Sequence, residues 1–225
     1  NIRKSEEMFS QIEDSISFEK GSMISYINNS DFLSKHHLSL EEIPAIFIPN
    51  TYEFYSNVSV PQFFERMVSE YSEFWNSERI ASCNSLGISQ IEVATLASII
   101  EEEQGRRIEE RSMIAGLYLN RIKQKVKLQS DPTVIYANND FSIRRVLYKH
   151  LEFDSPYNTY IYFGLPPGPI CIPSINSIDA VLNAKTHNYI FMCAKGDGSG
   201  LHNFAITNRE HINNRNRYKK NMNFN

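Results

Sequence analysis

Cysteine is scarce in this 225-residue chain: Cys83, Cys171 and Cys193 are its only three, widely separated and without a redox or metal-ligand spacing. A disulfide framework is not indicated, and all three are expected to be core thiols. Long apolar runs are missing as well. No stretch approaches the roughly 18 apolar residues of a membrane span, and no secretory leader is recognisable. The first residue is Asn1 rather than methionine, so removal of an upstream segment is expected and the compartment stays open. The net charge of −3 carries no basic stripe, which argues against nucleic acid as a partner. Histidines at 36, 37, 150, 187, 202 and 211 show no ligand spacing, so no metal is expected. With no Gly-rich phosphate loop, no G-x-S-x-G elbow and no marked Cys or Ser nucleophile, no cofactor is expected either. Internal repeats are absent.

What is present suffices for a substantial core, since 41% of the residues are hydrophobic and 12% aromatic. Residues 1–48 are polar and mixed, with short patterns that predict brief helices and no complete core. Ala45–Tyr55, AIFIPNTYEFY, is rich in aromatic and β-branched residues around a Pro-Asn turn and predicts a strand pair or a strand entering a second domain. Amphipathic spacing predicts helices over 60–76, from Ser89, and over 109–123 with Met113, Ile114, Leu117 and Ile122 facing inward. Beyond these, LQSDPTVIYA, SPYNTYIYFGLPPGPICIP and NYIFMCAKGDGSGLHNFAI look like strands broken by Pro and Gly turns, with a short helix over 177–183 and a basic terminal helix over 209–220. Helices first and strands later predict an α+β fold.

One stretch poses a chemical question. LASIIEEEQG, Leu96 to Gly105, ends an apolar helix on three carboxylates, where the negative end of the helix dipole disfavours them. Ser89 and Glu92 have capping-box spacing at its start. At about 100° per residue, Val93, Ala94, Leu96, Ala97, Ile99 and Ile100 form a broad face, opposite Thr95, Ser98 and Glu102. Glu102 is thus expected in water, while Glu101 and Glu103 flank the apolar face and remain equal candidates for burial. Desolvation, neighbouring like charge and the dipole all raise a carboxyl pKa, and a glutamate that keeps its proton near neutral pH can serve as a general acid. The plain alternative is an acidic helix end neutralised by Arg106, Arg107 or Arg111.

Three loops invite the same two-sided weighing. Gly164, Leu165, Pro166, Pro167, Gly168 and Pro169 form a stretch of little freedom, readable as a rigid wall or as a simple turn. Tyr157, Asn158, Thr159 and Tyr160 combine aromatic, amide and hydroxyl groups suited to sugar binding, or to an exposed strand end. Gln129, Ser130, Asp131, Pro132 and Thr133 read most simply as a turn in which Asp131 bonds its own backbone.

In order, FIPNTYEF, LASIIEEE, LYLNRI, LQSDPTVIYA, SPYNTY, GLPPGPI and GLHNFA resemble the endolytic murein transglycosylases (MltG, YceG-like). The resemblance runs from about Ile46 to His211 and implies a catalytic domain over 49–225, with 1–48 similar to the later part of a LysM-like subdomain. In the family pattern S-I-[VI]-E-x-E the second glutamate is the catalytic acid, which falls on Glu103 and separates it from Glu101. Gln104-Gly105-Arg106-Arg107 departs from the family, whose members more often carry small residues there. The resemblance implies cleavage of the bond between N-acetylmuramic acid and N-acetylglucosamine in peptidoglycan, leaving a 1,6-anhydromuramoyl end. It makes Gln129, Ser130, Asp131, Thr133, Tyr157, Asn158, Thr159, Tyr160, the Gly164–Gly168 residues and Asn203 candidates for binding the glycan. It also implies an extracytoplasmic domain on a single-pass membrane anchor outside this chain, near peptidoglycan synthases. Two rivals fit the same groove: a binding module without catalysis, and a hydrolase that adds Asp131 as a second carboxylate.

Overall fold

The computed structural model describes residues 2–222. Its architecture is α+β as the sequence predicts: helices dominate and a two-stranded antiparallel sheet comes late in the chain. In order, α1 (Ser5–Ile16), α2 (Ser22–Asn29), α3 (Phe32–Lys35), a 3₁₀ turn (Leu40–Ile46) and α4 (Val60–Phe74) lead into α5 (Ser77–Leu86) and α6 (Gln90–Glu103). A second 3₁₀ turn (Ile108–Glu110), α7 (Arg111–Lys123), α8 (Asp131–Ala137), α9 (Tyr148–Leu151) and α10 (Ile175–Leu182) follow, then strands β1 (Phe191–Ala194) and β2 (His202–Ala205) and helix α11 (Asn208–Asn221).

Two hydrophobic cores organise these elements. In the first, Met8, Phe9, Met23, Ile27 and Phe32 from the N-terminal helices close on Phe63, Phe64 and Met67 of α4. The packing there is largely aromatic, with Phe9 edge-on to Phe64 at 5.8 Å between ring centres. This supplies the core that residues 1–48 lack by themselves. The second core surrounds α6, against which α5, α7, α8 and α10 all pack. Consecutive residues Phe47 and Ile48 divide between the two, Phe47 entering the first and Ile48 the second.

Helix α6 begins as expected. The Glu92 carboxylate accepts the Ser89 N–H at 2.7 Å and Ser89 Oγ accepts the Glu92 N–H at 3.2 Å. The two-faced pattern read from its sequence does not hold, because every residue from Val93 to Ile100 is buried, Thr95 and Ser98 included. Their hydroxyls tolerate this by bonding inside the fold: Thr95 donates to the Ile91 carbonyl, and Ser98 donates to the Thr95 carbonyl while accepting the Ile170 N–H at 2.9 Å. Ser98 thereby ties the Pro-rich loop to the central helix. Glu102 is not water-facing either. Its carboxylate, 13% exposed, pairs with Arg3.

Several predicted strands are absent among the described residues. The 45–55 segment leaves its 3₁₀ turn in an irregular path, since Pro44 and Pro49 lack the N–H a ladder needs and Phe47 and Ile48 are taken by separate cores. LQSDPTVIYA folds into α8, with Pro132 in the first turn where its missing N–H costs nothing. SPYNTYIYFG is a set of turns around Asn158, whose side-chain amide donates to the carbonyls of Leu151 and Phe153. Only the last segment pairs, with Phe191 opposite Ala205 and Ala194 opposite His202. Helix α7 carries Ile114 and Leu117 inward as expected, leaves Met113 and Ile122 half-buried, and also buries Tyr118, Arg111 and Arg121. Cys83 and Cys171 are buried thiols, while Cys193 is only half-buried. No single helix among the described residues is long and apolar enough to cross a membrane.

Candidate active site

The three glutamates at the end of α6 have three different fates. Glu101 is engaged through one oxygen, which accepts from the hydroxyls of Ser174 and Ser177 at 2.6 Å each and from the Ser174 N–H at 2.9 Å, with Arg111 at 3.6 Å. Burial pushes its carboxyl up, but these hydroxyls, the N–H and the guanidinium outweigh burial and hold it below the ordinary range. Glu102 belongs to Arg3. Glu103 is the one with a group to offer. Its Oε1 accepts Tyr118 Oη at 2.8 Å and Ser130 Oγ at 2.6 Å, while no described residue bonds Oε2.

Burial dominates at Glu103 and raises its pKa; the Ser130 and Tyr118 hydroxyls oppose it, Asp131 adds to it, and His202 opposes it. The net direction is upward, as general acid catalysis near neutral pH requires. The feared neutralisation by arginine goes elsewhere. Arg111 turns to Glu101, and Arg107 lies 3.5 Å from Glu109.

The two donors reach Glu103 from different elements. Tyr118 lies on the stripe Ile114–Leu117–Tyr118 of α7 and is 2% exposed, so its hydroxyl must find a partner inside. Ser130 occupies the N-cap of α8 yet makes no side-chain cap there. Its hydroxyl serves Glu103 instead, a local rule set aside at a site. Ser130 is locked in place by Thr159, whose Oγ1 accepts its N–H at 3.1 Å, and by Thr133, whose hydroxyl donates to its carbonyl at 2.7 Å. Gln129, just before it, takes a left-handed backbone (φ 54°), a conformation uncommon outside glycine, and its amide oxygen accepts Arg121 Nη2 at 2.7 Å.

Around Glu103 the structure therefore gathers Ser130, Asp131 and Tyr160, the last donating its hydroxyl to Asp131 Oδ1 at 2.6 Å. The expectation that Asp131 bonds its own backbone gives way to this tyrosine contact. Of the expected groove residues, Ser130, Thr133, Asn158 and Thr159 are fully buried and cannot touch a sugar; they act as struts beneath the exposed Gln129 and Asp131. Tyr157 packs at a tilt against Tyr136, 4.6 Å between ring centres. In the Pro-rich loop, Gly164 turns at φ +83°, Leu165 is half-buried against the second core, Pro167 is exposed, and Pro166 and Gly168 are buried. A Cβ on Gly168 would sit 1.9 Å from the Glu41 carbonyl oxygen, so that glycine is required by packing rather than by ligand binding. Asn203 is half-buried in β2, opposite Cys193.

Sequence reasoning missed four residues here: Tyr118, Gln104, Glu110 and His202. Tyr118 left a signal as a tyrosine on an apolar helical stripe, and His202 as the histidine of GLHNFA. Among the described residues no group of three or more His, Cys, Asp or Glu side chains is arranged to hold a metal ion. A cleft of about 730 Å³ lies between α1, α4 and residues 47–56, but it is apolar and Glu103 does not line it, so the chemistry sits elsewhere.

A sequence profile of the YceG-like family matches residues 1–217. The chain is 38% identical over 167 residues to an endolytic murein transglycosylase of Bacillus subtilis, covering 72% of this chain and 44% of that protein. It is 27% identical over 185 residues to the endolytic murein transglycosylase of Streptococcus pneumoniae, covering 75% and 33%. It thus spans less than half the length of these relatives. In three dimensions it resembles a yceG-like protein from Listeria monocytogenes, with a TM-score of 0.73 at 28% identity over 91% of this chain and 72% of the other.

Proposed function

The chain belongs to the YceG-like family, and on that premise we propose that it is the catalytic part of an endolytic murein transglycosylase. It would cut the bond between N-acetylmuramic acid and N-acetylglucosamine inside peptidoglycan strands and leave a 1,6-anhydromuramoyl end. One observation carries the assignment: Glu103 combines a raised pKa with an oxygen, Oε2, that no described residue bonds, whereas Glu101 is held below the ordinary range.

The geometry suggests how a single acid does both halves of the reaction. With Oε1 occupied by two donors, the proton resides on Oε2 and passes to the glycosidic oxygen as the bond to the anomeric carbon breaks. Tyr118 and Ser130 then stabilise the carboxylate they face. That carboxylate accepts the proton of the muramoyl 6-hydroxyl while the sugar's own oxygen closes on the anomeric carbon. Hydrolysing glycosidases need a second carboxylate for water or for the sugar. Here Glu101 is held by Ser174, Ser177 and Arg111 and Asp131 is engaged by Tyr160, which favours the intramolecular route. A hydrolase reading keeps some support from Asp131, exposed and close enough for its charge to act on Glu103.

Peptidoglycan as substrate puts the working site on the extracytoplasmic side of the cytoplasmic membrane, with an anchor outside this chain and glycan synthases as neighbours. Residues 1–48 would be the later part of a LysM-like subdomain. The direct test replaces Glu103 by Gln, which keeps shape and removes the transferable proton. Cleavage of purified glycan strands should vanish with the fold retained, while Glu102→Gln retains activity. Equal losses in both variants would overturn the assignment.

A further inference from the structure

We propose that His202 is a substrate-binding residue beside Glu103, its ring held by Glu110 so that Nε2 forms a hydrogen bond with a sugar hydroxyl. The proposal rests on the glycan reading above. Its basis is an arrangement that nothing in the acid's own chemistry uses.

His202 opens β2, and both oxygens of Glu110 engage it. The main-chain N–H donates to Oε1 at 2.8 Å, and ring Nδ1 lies 2.7 Å from Oε2. Gln104 braces the pair: its amide Nε2 donates to Glu110 Oε2 at 2.7 Å and to the Gly200 carbonyl at 3.0 Å, and its Oε1 accepts the Arg107 N–H at 3.1 Å. Gln104 directly follows Glu103 and is itself 3% exposed, so a buried side chain next to the acid braces the carboxylate that holds the imidazole. The arrangement is also close enough for His202 to act electrostatically on Glu103.

Fixing Nδ1 decides what the ring can do. A carboxylate only accepts, so Nδ1 carries a hydrogen and Nε2 is left to face a hydroxyl, which can donate to the neutral ring or accept from the charged one. No described residue bonds Nε2, and the side chain keeps 15% of its surface open while Glu110 keeps 8%. A ligand rich in hydroxyl groups is the chemistry this open nitrogen suits, and a glycan strand is such a ligand.

Two readouts test this on the full chain with purified glycan strands. Kinetically, His202→Ala should raise KM about tenfold, the scale of one lost hydrogen bond, with a smaller change in kcat and the same anhydro ends; His202→Gln provides a second variant should the alanine form melt early. Spectroscopically, in a Glu103→Gln chain labelled at histidine nitrogen, the Nε2 resonance of His202 should move as strands are added while Nδ1 stays protonated. Unchanged KM in both variants, or an Nε2 resonance indifferent to saturating strands, overturns the role even though wild type still cuts. Strands left uncut by wild type overturn the glycan reading and this role with it.

Discussion

Replacing Tyr118 by Phe removes one of the two hydroxyls on Glu103 Oε1 and leaves the ring in the second core, where it is 2% exposed. Ser130 keeps its 2.6 Å contact, so the acid stays in place. A hydrogen bond to a charged acceptor is worth roughly 1.5–3 kcal/mol, and the part of it lost on protonation is what lowers the pKa. Taking about 1.4 kcal/mol for that difference, at 1.36 kcal/mol per unit, the Glu103 pKa should rise by about one unit in the variant. The acid must hold its proton to begin the reaction, so kcat/KM falls as pH rises through that pKa. Losing a donor to the charged form therefore moves the alkaline limb upward, never downward. Asp131 and His202 also act on Glu103, but they are unchanged between the two proteins and drop out of the comparison. The assay is kcat/KM for release of new muramoyl ends across the acid-to-neutral range, with melting temperature alongside. A limb that stays put, or moves to lower pH, would refute the role given to Tyr118 and weaken that given to Oε2.

Stability should report the opposed states of the first and third glutamates. Glu103 has a raised pKa, so the stability tied to its proton is present below the ordinary carboxylate range and lost as pH rises through the folded value; Glu103→Gln should melt higher than wild type near neutral pH, the gap closing in acid. Glu101 is lowered, so its contribution is present above the ordinary range and lost as pH falls through the folded value; Glu101→Gln should melt lower near neutral pH and converge with wild type in acid. Gly168→Ala, which drives a methyl into the Glu41 carbonyl, should cost about 1–3 kcal/mol in denaturant unfolding, with activity falling only as far as folding does. Asp131→Asn keeps an oxygen for the Tyr160 hydroxyl and should retain measurable cleavage with unchanged end chemistry, read by mass spectrometry.

Local signals made much of this site legible. The capping box at Ser89, the apolar run and the terminal carboxylates placed α6 and narrowed the acid to two residues before any fold was known, and the family pattern chose between them. What periodicity could not reveal was that α6 is enclosed on all sides, because Thr95 and Ser98 look solvent-facing until their hydroxyl partners are seen. The strand assignments failed for a similar reason: β-branched and aromatic residues in AIFIPNTYEFY and LQSDPTVIYA reflect burial, and burial here is in helices and irregular loops. The buried struts Thr133, Asn158 and Thr159 share a composition with sugar-binding loops, so only their position separates support from contact. Glu110 and His202 meet across 92 residues of chain, a range over which sequence spacing carries no geometric signal.

The central claim is that Glu103 works alone because the sugar supplies its own nucleophile. Mass spectrometry of strands cut by the wild-type chain in oxygen-labelled water tests it most directly. Every new muramoyl end should be the anhydro form, free of solvent-derived label. Reducing muramic ends carrying the labelled oxygen would mean that water attacks, and that a second carboxylate, Asp131 first among them, shares the work.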